Sequence, residues 1–367
     1  MNYIITGTTY NSKYASAPDA GIRVLSAEEL AASDISFTAS DKIYVPSETS
    51  LSLVIERSKN PDIVTGIHSL KDKYLCRKAL SKLYPDFYFD KCGLNDISKL
   101  KINDKKIVIK PQKGFFGTGV RFAEAGADLE ALSREISMEV AEYSRFFPKS
   151  ILSVNEYIVE EYISGEEYAV DMYFDELGQA VIMNIYHHPA PLNDDYAHLM
   201  YYSNASLFAK YLDTFTRFFN EFGAQLELKN FPIHAEFKLQ GQDFIPIEFN
   251  PMRYGGFGLA DLGFHSYGIH PIAAYFAGNT LDWNDIWQTR QEYSYAFILA
   301  YNPKQLSPQH KPNHERFRKH LQQHVEIMDY IKLDHSSNPV FAIAYIKSQD
   351  PSRMMSLLET EFADFFD

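Results

Sequence analysis

The segment IHAEFKLQGQDFIPIEFNP, residues 233–251, sets two carboxylates and a carboxamide into otherwise apolar strands. With a period of two, Ile233, Ala235, Phe237 and Leu239 share one face, and His234, Glu236 and Lys238 share the other. Gln240-Gly241-Gln242-Asp243 is a hairpin signal, with glycine supplying any positive φ. Beyond it Ile245, Ile247 and Phe249 are expected on one face, with Glu248 and Asn250 opposite. Folding the strands back about residue 242 predicts Glu236 directly across from Glu248. Like charges at such a pair are destabilising, so the pattern calls for compensation. Hard divalent cations take oxygen ligands, and Mg²⁺ is usually held by one or two carboxylates plus phosphate oxygens. Glu236, Glu248 and Asn250 are the expected ligands. A solvated edge hairpin fits the same alternation, but Asn250-Pro251 followed by Arg253-Tyr254-Gly255-Gly256 favours a site.

Two further motifs suit the phosphates and nucleoside that such a cation would accompany. In VIKPQKGFFGTGV, residues 108–120, a strand ends in Lys110-Pro111 and a loop with Gly114, Gly117, Thr118 and Gly119 follows. Successive N–H groups of a glycine loop can cradle phosphate oxygens, and Lys110 supplies a point charge. The loop is neither a Walker A sequence nor a G-x-G-x-x-G fingerprint, and a hairpin tip with a solvated lysine reads the same way. In VEEYISGEEYAVD, residues 159–171, Glu160 and Glu167 stand seven apart around Ser164-Gly165. A strand backbone offers N–H and C=O to an adenine edge, and a carboxylate accepts both ribose hydroxyls. An acidic solvent-facing turn is the competing reading. His187 and His188, in the polar stretch YHHPAPLNDDYAHLMYY, are candidates for a substrate carboxylate; His265 and His270 are weaker ones. The basic stretch HKPNHERFRKH reads as a solvated helix face.

The elements that must position these residues can be read coarsely. YIITG, IRVLS and KIYVPS alternate with helical patterns up to about residue 70, as in a small α/β domain. SLKDKYLCRKALSKLYPDF reads as a helix stopped by Pro85, and KKIVIKP as a strand. Residues 128–147 carry Leu129, Leu132, Ile136, Val140, Tyr143 and Phe147 at helical spacing. YIVEEYIS, EEYAVDMYFDELG and AVIMNIYHH read as successive strands, followed by a helix with Leu207, Tyr211, Phe215, Phe218 and Phe222. From about residue 290 the order β-α-β-β-α suggests a small α+β appendage. The 367 residues, 46% hydrophobic and 23% charged, suit a soluble globular chain of several domains. No run approaches the roughly 18 apolar residues of a membrane helix. Cys76 and Cys92 show neither metal nor disulfide spacing, and MNYIITGTTYNSK lacks a signal-peptide pattern, so a cytoplasmic protein is expected. The net charge of −13 argues against nucleic-acid binding.

The order of Lys-Pro strand, glycine loop, Glu-rich hinge and Glu…Glu-x-Asn hairpin, over roughly residues 70–275, resembles the ATP-grasp superfamily. The similarity is to its carboxylate–amine ligases of the D-alanine–D-alanine ligase and L-amino-acid ligase type. The resemblance implies an α/β and α+β ATP-grasp fold. Its parts would be an N-terminal α/β domain (1–72), a small lid (73–164), a large subdomain with the metal site (165–285) and the C-terminal appendage (286–367). It implies ATP with Mg²⁺, or Mn²⁺ in its place. Lys73 and Lys110 would bind phosphates. Glu160, the backbone of Glu161 and Ile163, and Glu167 would hold adenine and ribose. Glu236, Glu248 and Asn250 would be metal ligands, and Arg253 would stabilise the transferring phosphate or the acyl intermediate. The implied reaction joins a small carboxylate to an amine, amino acids or peptides above all, through an acyl phosphate with release of ADP and phosphate. A thiol nucleophile and a nucleotide-binding regulator without turnover are the alternative readings, and a homodimer is compatible with all of them. The chain departs from the pattern at Phe115 and Phe116, where small or hydroxyl residues are common, and at His234, where an arginine is common. Arg253 also stands three residues after Asn250 instead of two. The oxyanion-binding role is thereby divided between His234 and Arg253.

Overall fold

The computed structural model of the chain describes residues 1–7, 12, 21–102, 105–113, 119–143, 155–190, 200–303, 306 and 309–367, with the side chains of 142–143 excepted. At the N-terminus β1 (Asn2–Thr6), β2 (Ile22–Ser26) and β3 (Lys42–Tyr44) form a parallel sheet in the order β2-β1-β3, as the α/β reading expects. The helices Pro61–Lys71 and Lys73–Leu80 follow, and share Asp72 as their junction. The Asp72 side chain accepts from the Tyr74 and Leu75 amides and so caps the second helix.

A small antiparallel sheet forms the lid: β4 (Phe89–Gly93), β5 (Ile107–Pro111), β6 (Arg121–Ala123) and β7 (Glu156–Glu161), in the order β4-β7-β5-β6. The predicted amphipathic helix is present as Leu129–Tyr143, and its Ile136 and Val140 are fully buried in a core with Ile109, Tyr157 and Val159. The Tyr143 side chain and Phe147 lie outside the described residues.

The large sheet holds β8 (Glu166–Phe174), β9 (Ala180–His188), β10 (Met200–Asn204), β11 (Phe231–Gln240), β12 (Asp243–Pro251), β13 (Ser294–Tyr301), β14 (Glu326–Lys332) and β15 (Val340–Ser348). Its order is β12-β11-β8-β9-β10-β13-β15-β14. The helix Ala205–Leu226, capped by Asn204, buries Leu207, Tyr211, Phe215, Phe219 and Phe222 against one face; Phe218 is half-buried.

Two expectations are corrected. The C-terminal segment does run β-α-β-β-α, through β13, the helix His314–His324, β14, β15 and the helix Pro351–Met355, but it is no appendage. Five residues of β10, Met200 to Asn204, pair antiparallel with Ile298 to Ser294 of β13, so its strands extend the large sheet. An unpaired β10 edge would leave a row of backbone donors and acceptors open, and β13 closes it.

The second correction concerns the hairpin. Gln240 pairs with Asp243 across Gly241, whose φ is +67°, but the register then slips by one residue. Phe237 faces Pro246 while Glu236 faces Glu248, which leaves Ile247 as the extra residue of a bulge. Phe244 and Pro246 therefore point into the core, and Ile245 opposes Lys238 on the polar side. The predicted Glu236–Glu248 pairing depends on that bulge; without it a two-residue turn would set Ile247 across from Glu236.

Candidate active site

The hairpin places Glu236 opposite Glu248 and His234 opposite Asn250. Each carboxylate has its own cation. Lys73 Nζ lies 2.8 Å from Glu248 Oε1, and His234 Nε2 lies 3.4 Å from Glu236 Oε1. Burial raises the Glu248 carboxyl, but Lys73 and Lys71 outweigh it and hold the group below its ordinary range. Burial likewise pushes the His234 imidazolium down, while Asp171 and Glu236 outweigh it and raise the group to about 9. His234 is 3% exposed, and its Nδ1 lies 2.8 Å from Asp171 Oδ1. Among the described residues no three His, Cys, Asp or Glu side chains form a metal cluster. The donor set here is two carboxylates and the buried Asn250 carboxamide, so a hard cation would complete its shell with phosphate or water oxygens. The residues fit Mg²⁺ in that mode.

Across from the hairpin the lid contributes Lys110 and Glu160. Glu160, 2% exposed, is held between Lys110 Nζ and Arg77 Nε, the latter 2.7 Å away. Burial raises this carboxyl too, but the two cations outweigh it and hold it at about 2. The Arg77 guanidinium stacks over Phe87 at 4.3 Å. A narrow crevice of about 10 Å³ between lid and large sheet is lined by Lys73, Arg77, Lys110, Glu160, Ile247 and Glu248, among others. The carboxylate of Glu160 thus pairs with cations instead of presenting a free acceptor to a sugar. Glu167 stands deeper on the large sheet, 3.0 Å from His188 Nδ1 and 3.9 Å from Lys238 Nζ, at matched positions of β8, β9 and β11.

The turn between lid and large sheet requires Gly165, whose φ is +115°; a Cβ there would lie 2.0 Å from the Leu239 carbonyl oxygen. The Glu161 N–H donates to the Tyr88 carbonyl at 3.1 Å. Of the glycine loop, Gly119 is described, with φ +70°; Gly114, Gly117 and Thr118 lie outside the described residues.

Arg253 Nη2 lies 3.0 Å from Glu48 Oε1, and Lys71 pairs with the other Glu48 oxygen. Met252, fully buried at φ +63°, fixes the start of this loop: its N–H donates to Pro232 and its carbonyl accepts from Val45, both at 2.8 Å. His187 points away from His188, stacked on Tyr168 at 4.6 Å and bonded to Tyr202 OH at 2.9 Å. His265 lies 3.6 Å from Asp329, and His270 caps the helix Pro271–Ala277. The structure thus gives His187, His265 and His270 packing partners away from the carboxylate pair, and it gives His188 to Glu167. In the helix His314–His324, Phe317 and Leu321 face inward and the basic residues outward.

Four charged residues of the site were not singled out in the sequence: Glu48, Lys71, Arg77 and Asp171. Arg77 follows Lys73 by one helical turn, and Asp171 is the acid inside EYAVDMYF, so both left a signal. Glu48, at the start of the short 3-10 helix Glu48–Ser50 after β3, left none.

A small sheet and a large antiparallel sheet thus enclose a cation-rich crevice beside the Glu248 carboxylate. The family model described as ATP-grasp domain matches residues 103–261, so that segment is an ATP-grasp domain. No curated protein matches the sequence. Among solved structures the chain is similar to an L-amino acid ligase from Bacillus licheniformis, with a TM-score of 0.68 at 15% identity over 100% of this chain and 98% of that one. It is similar to N5-carboxyaminoimidazole ribonucleotide synthetase from Thermotoga maritima, at 0.61 and 13% over 97% and 96%. It is also similar to the biotin carboxylase domain of 2-oxoglutarate carboxylase from Hydrogenobacter thermophilus, solved with MgADP and bicarbonate, at 0.52 and 14% over 83% and 67%. At these identities the likeness establishes the fold. Among the described residues no helix is long and apolar enough to cross a membrane.

Proposed function

We propose that the protein is an ATP-dependent carboxylate–amine ligase working through an acyl phosphate, with amino acids or peptides as substrates. The observation that supports this reading best is the register placing Glu236 across from Glu248, with Asn250 two residues on, and Glu248 sharing one crevice with Lys73 and Lys110. ATP would lie between lid and large sheet. Its base would meet the Glu161 carbonyl and the Ile163 amide, its ribose Glu167, and its phosphates Lys73 and Lys110. Glu236, Glu248 and Asn250 would hold Mg²⁺, which supplies charge neutralisation at the distal phosphates when bound.

The chain's own residues do the rest. Glu248 is paired with Lys73 before ligands enter, so the lysine is already on the crevice wall where a triphosphate must pass. His234, held cationic, and Arg253 would stabilise the charge that develops as a substrate carboxylate takes the γ-phosphate. Positioning and fixed charge are the main contributions, as in other phosphoryl transfers. Attack by an amine then yields the amide and releases phosphate. With Lys73 and Lys110 at the distal phosphates, the product set would be ADP and phosphate. Dependence on ATP and two unpaired cysteines suit a cytoplasmic setting.

The test is a pairwise screen of the twenty L-amino acids with Mg·ATP, read as ADP release. The reading expects release only with particular pairs. ADP formation independent of any added carboxylate and amine would contradict it.

A further inference from the structure

Asp171 of β8 is 1% exposed and meets donors from three other parts of the chain. Its Oδ1 accepts from His234 Nδ1 of β11 and from the Gly255 amide in the loop after β12, each at 2.8 Å. Its Oδ2 accepts from Tyr186 OH of β9, also at 2.8 Å. A buried carboxylate is costly unless it is fully hydrogen-bonded, and here three donors converge on it. The geometry has a consequence for two other residues. One oxygen atom fixes both the ring of His234 and the loop that carries Arg253.

The same loop is anchored by Tyr254, whose N–H donates to Tyr44 OH at 3.2 Å, and by the Arg253–Glu48 pair. Met252 is held by Pro232 and Val45, Gly258 accepts from Tyr345 OH at 2.8 Å, and Arg253 Nη1 donates to the Tyr254 carbonyl at 3.0 Å. Between Met252 and Gly258 the Asp171–Gly255 bond ties the backbone to the large sheet, beside the buried Tyr254 ring packed with Tyr173 and Met183. Gly255 itself is packed so closely that a Cβ would come within 2.6 Å of the Leu259 side chain. On the other branch, His234 Nε2 is left facing Glu236 because Nδ1 is engaged by Asp171.

Resting on the ligase reading, we propose that Asp171 is a positioning residue that sets His234 and Arg253 as one oxyanion-binding unit. Buried behind both, it does not reach the crevice and acts only through them.

The test is Asp171→Asn, which keeps the shape but removes the charge and an acceptor. Loss of a preorganised oxyanion donor costs about 100-fold or more, so kcat for the fastest L-amino-acid pair should fall about 100-fold. Mg·ADP affinity by calorimetry should stay within about threefold, because the nucleotide's own contacts are untouched. In the H234Q background the same change should cost no more than about a further threefold, since residues acting as a unit are not additive. A kcat near wild type, or equal losses in kcat and Mg·ADP affinity, would overturn the proposal. Should D171N fail to fold, Tyr186→Phe removes one donor only; a kcat loss of roughly tenfold at unchanged Mg·ADP affinity is then expected, and no loss would overturn it. If the wild type releases ADP with no pair, the ligase reading fails and histidine NMR still decides this one. The His234 Nδ1–H resonance should show a strong hydrogen bond that D171N abolishes, and an unchanged resonance would refute the pairing.

Discussion

Glu160→Gln should destabilise the protein by about 3 kcal/mol at neutral pH, and the size follows from the buried cluster itself. The carboxyl lies between Arg77 and Lys110 at 2% exposure and is held at about 2, against an ordinary 4.5. Each pH unit between those values is worth about 1.4 kcal/mol, which gives about 3 kcal/mol for the ionised form at neutral pH. An independent route agrees, since removing one partner of a buried ion pair costs about 3–5 kcal/mol. Glutamine would keep one hydrogen bond and leave two buried cations facing each other. The sign with pH is fixed. A depressed carboxyl contributes stability above its unfolded value, and that stability is lost as pH falls through 4.5 toward 2. Urea unfolding followed by circular dichroism, for wild type and E160Q between pH 7 and pH 3, checks both points. The two curves should converge as pH falls, because the wild type protonates the group that the variant lacks. A difference under about 1 kcal/mol at pH 7, or one that ignores pH, would refute the assignment of Glu160 as the anion of a buried ion cluster.

Glu248→Gln should abolish ADP release yet shift unfolding by no more than about 1 kcal/mol, because loss of the partly buried Lys73 pair and relief of the Glu236 opposition offset each other; differential scanning fluorimetry beside the activity assay checks it. Removal of Mg²⁺ with EDTA should weaken ATP binding about tenfold or more in calorimetry, since the carboxylate pair then faces the triphosphate without a bridge. Gly165→Ala should cost at least about 2 kcal/mol in urea unfolding, given φ +115° and the Leu239 carbonyl in the space of its Cβ.

Much of the fold was legible because its signals are local. The period of two in residues 233–239 marked the polar face correctly, and the spacing of Ile136 and Val140 marked the lid helix. What escaped was pairing at a distance. The bulge at Ile247 moves Ile245 to the polar side, and nothing in the alternation announces it. The strands after residue 290 were readable, but their junction with β10 depends on an edge 90 residues upstream. In the site, spacing showed which residues carry charge without showing whom they meet. The spacing of seven pairs Glu160 with Glu167 around a nucleoside slot, whereas Glu160 meets Arg77 and Lys110 from elsewhere in the chain. Glu48 meets Arg253 across 205 residues, a contact that no local pattern encodes.

The central claim is phosphoryl transfer to a substrate carboxylate, and the fate of one carboxylate oxygen tests it most directly. With an amino-acid pair that supports turnover and the donor carboxylate labelled with ¹⁸O, mass spectrometry of the released phosphate should find one labelled oxygen, with ADP as the nucleotide product. Label appearing in AMP, with pyrophosphate released, would contradict the account and remove the oxyanion roles of His234 and Arg253 at the γ-phosphate.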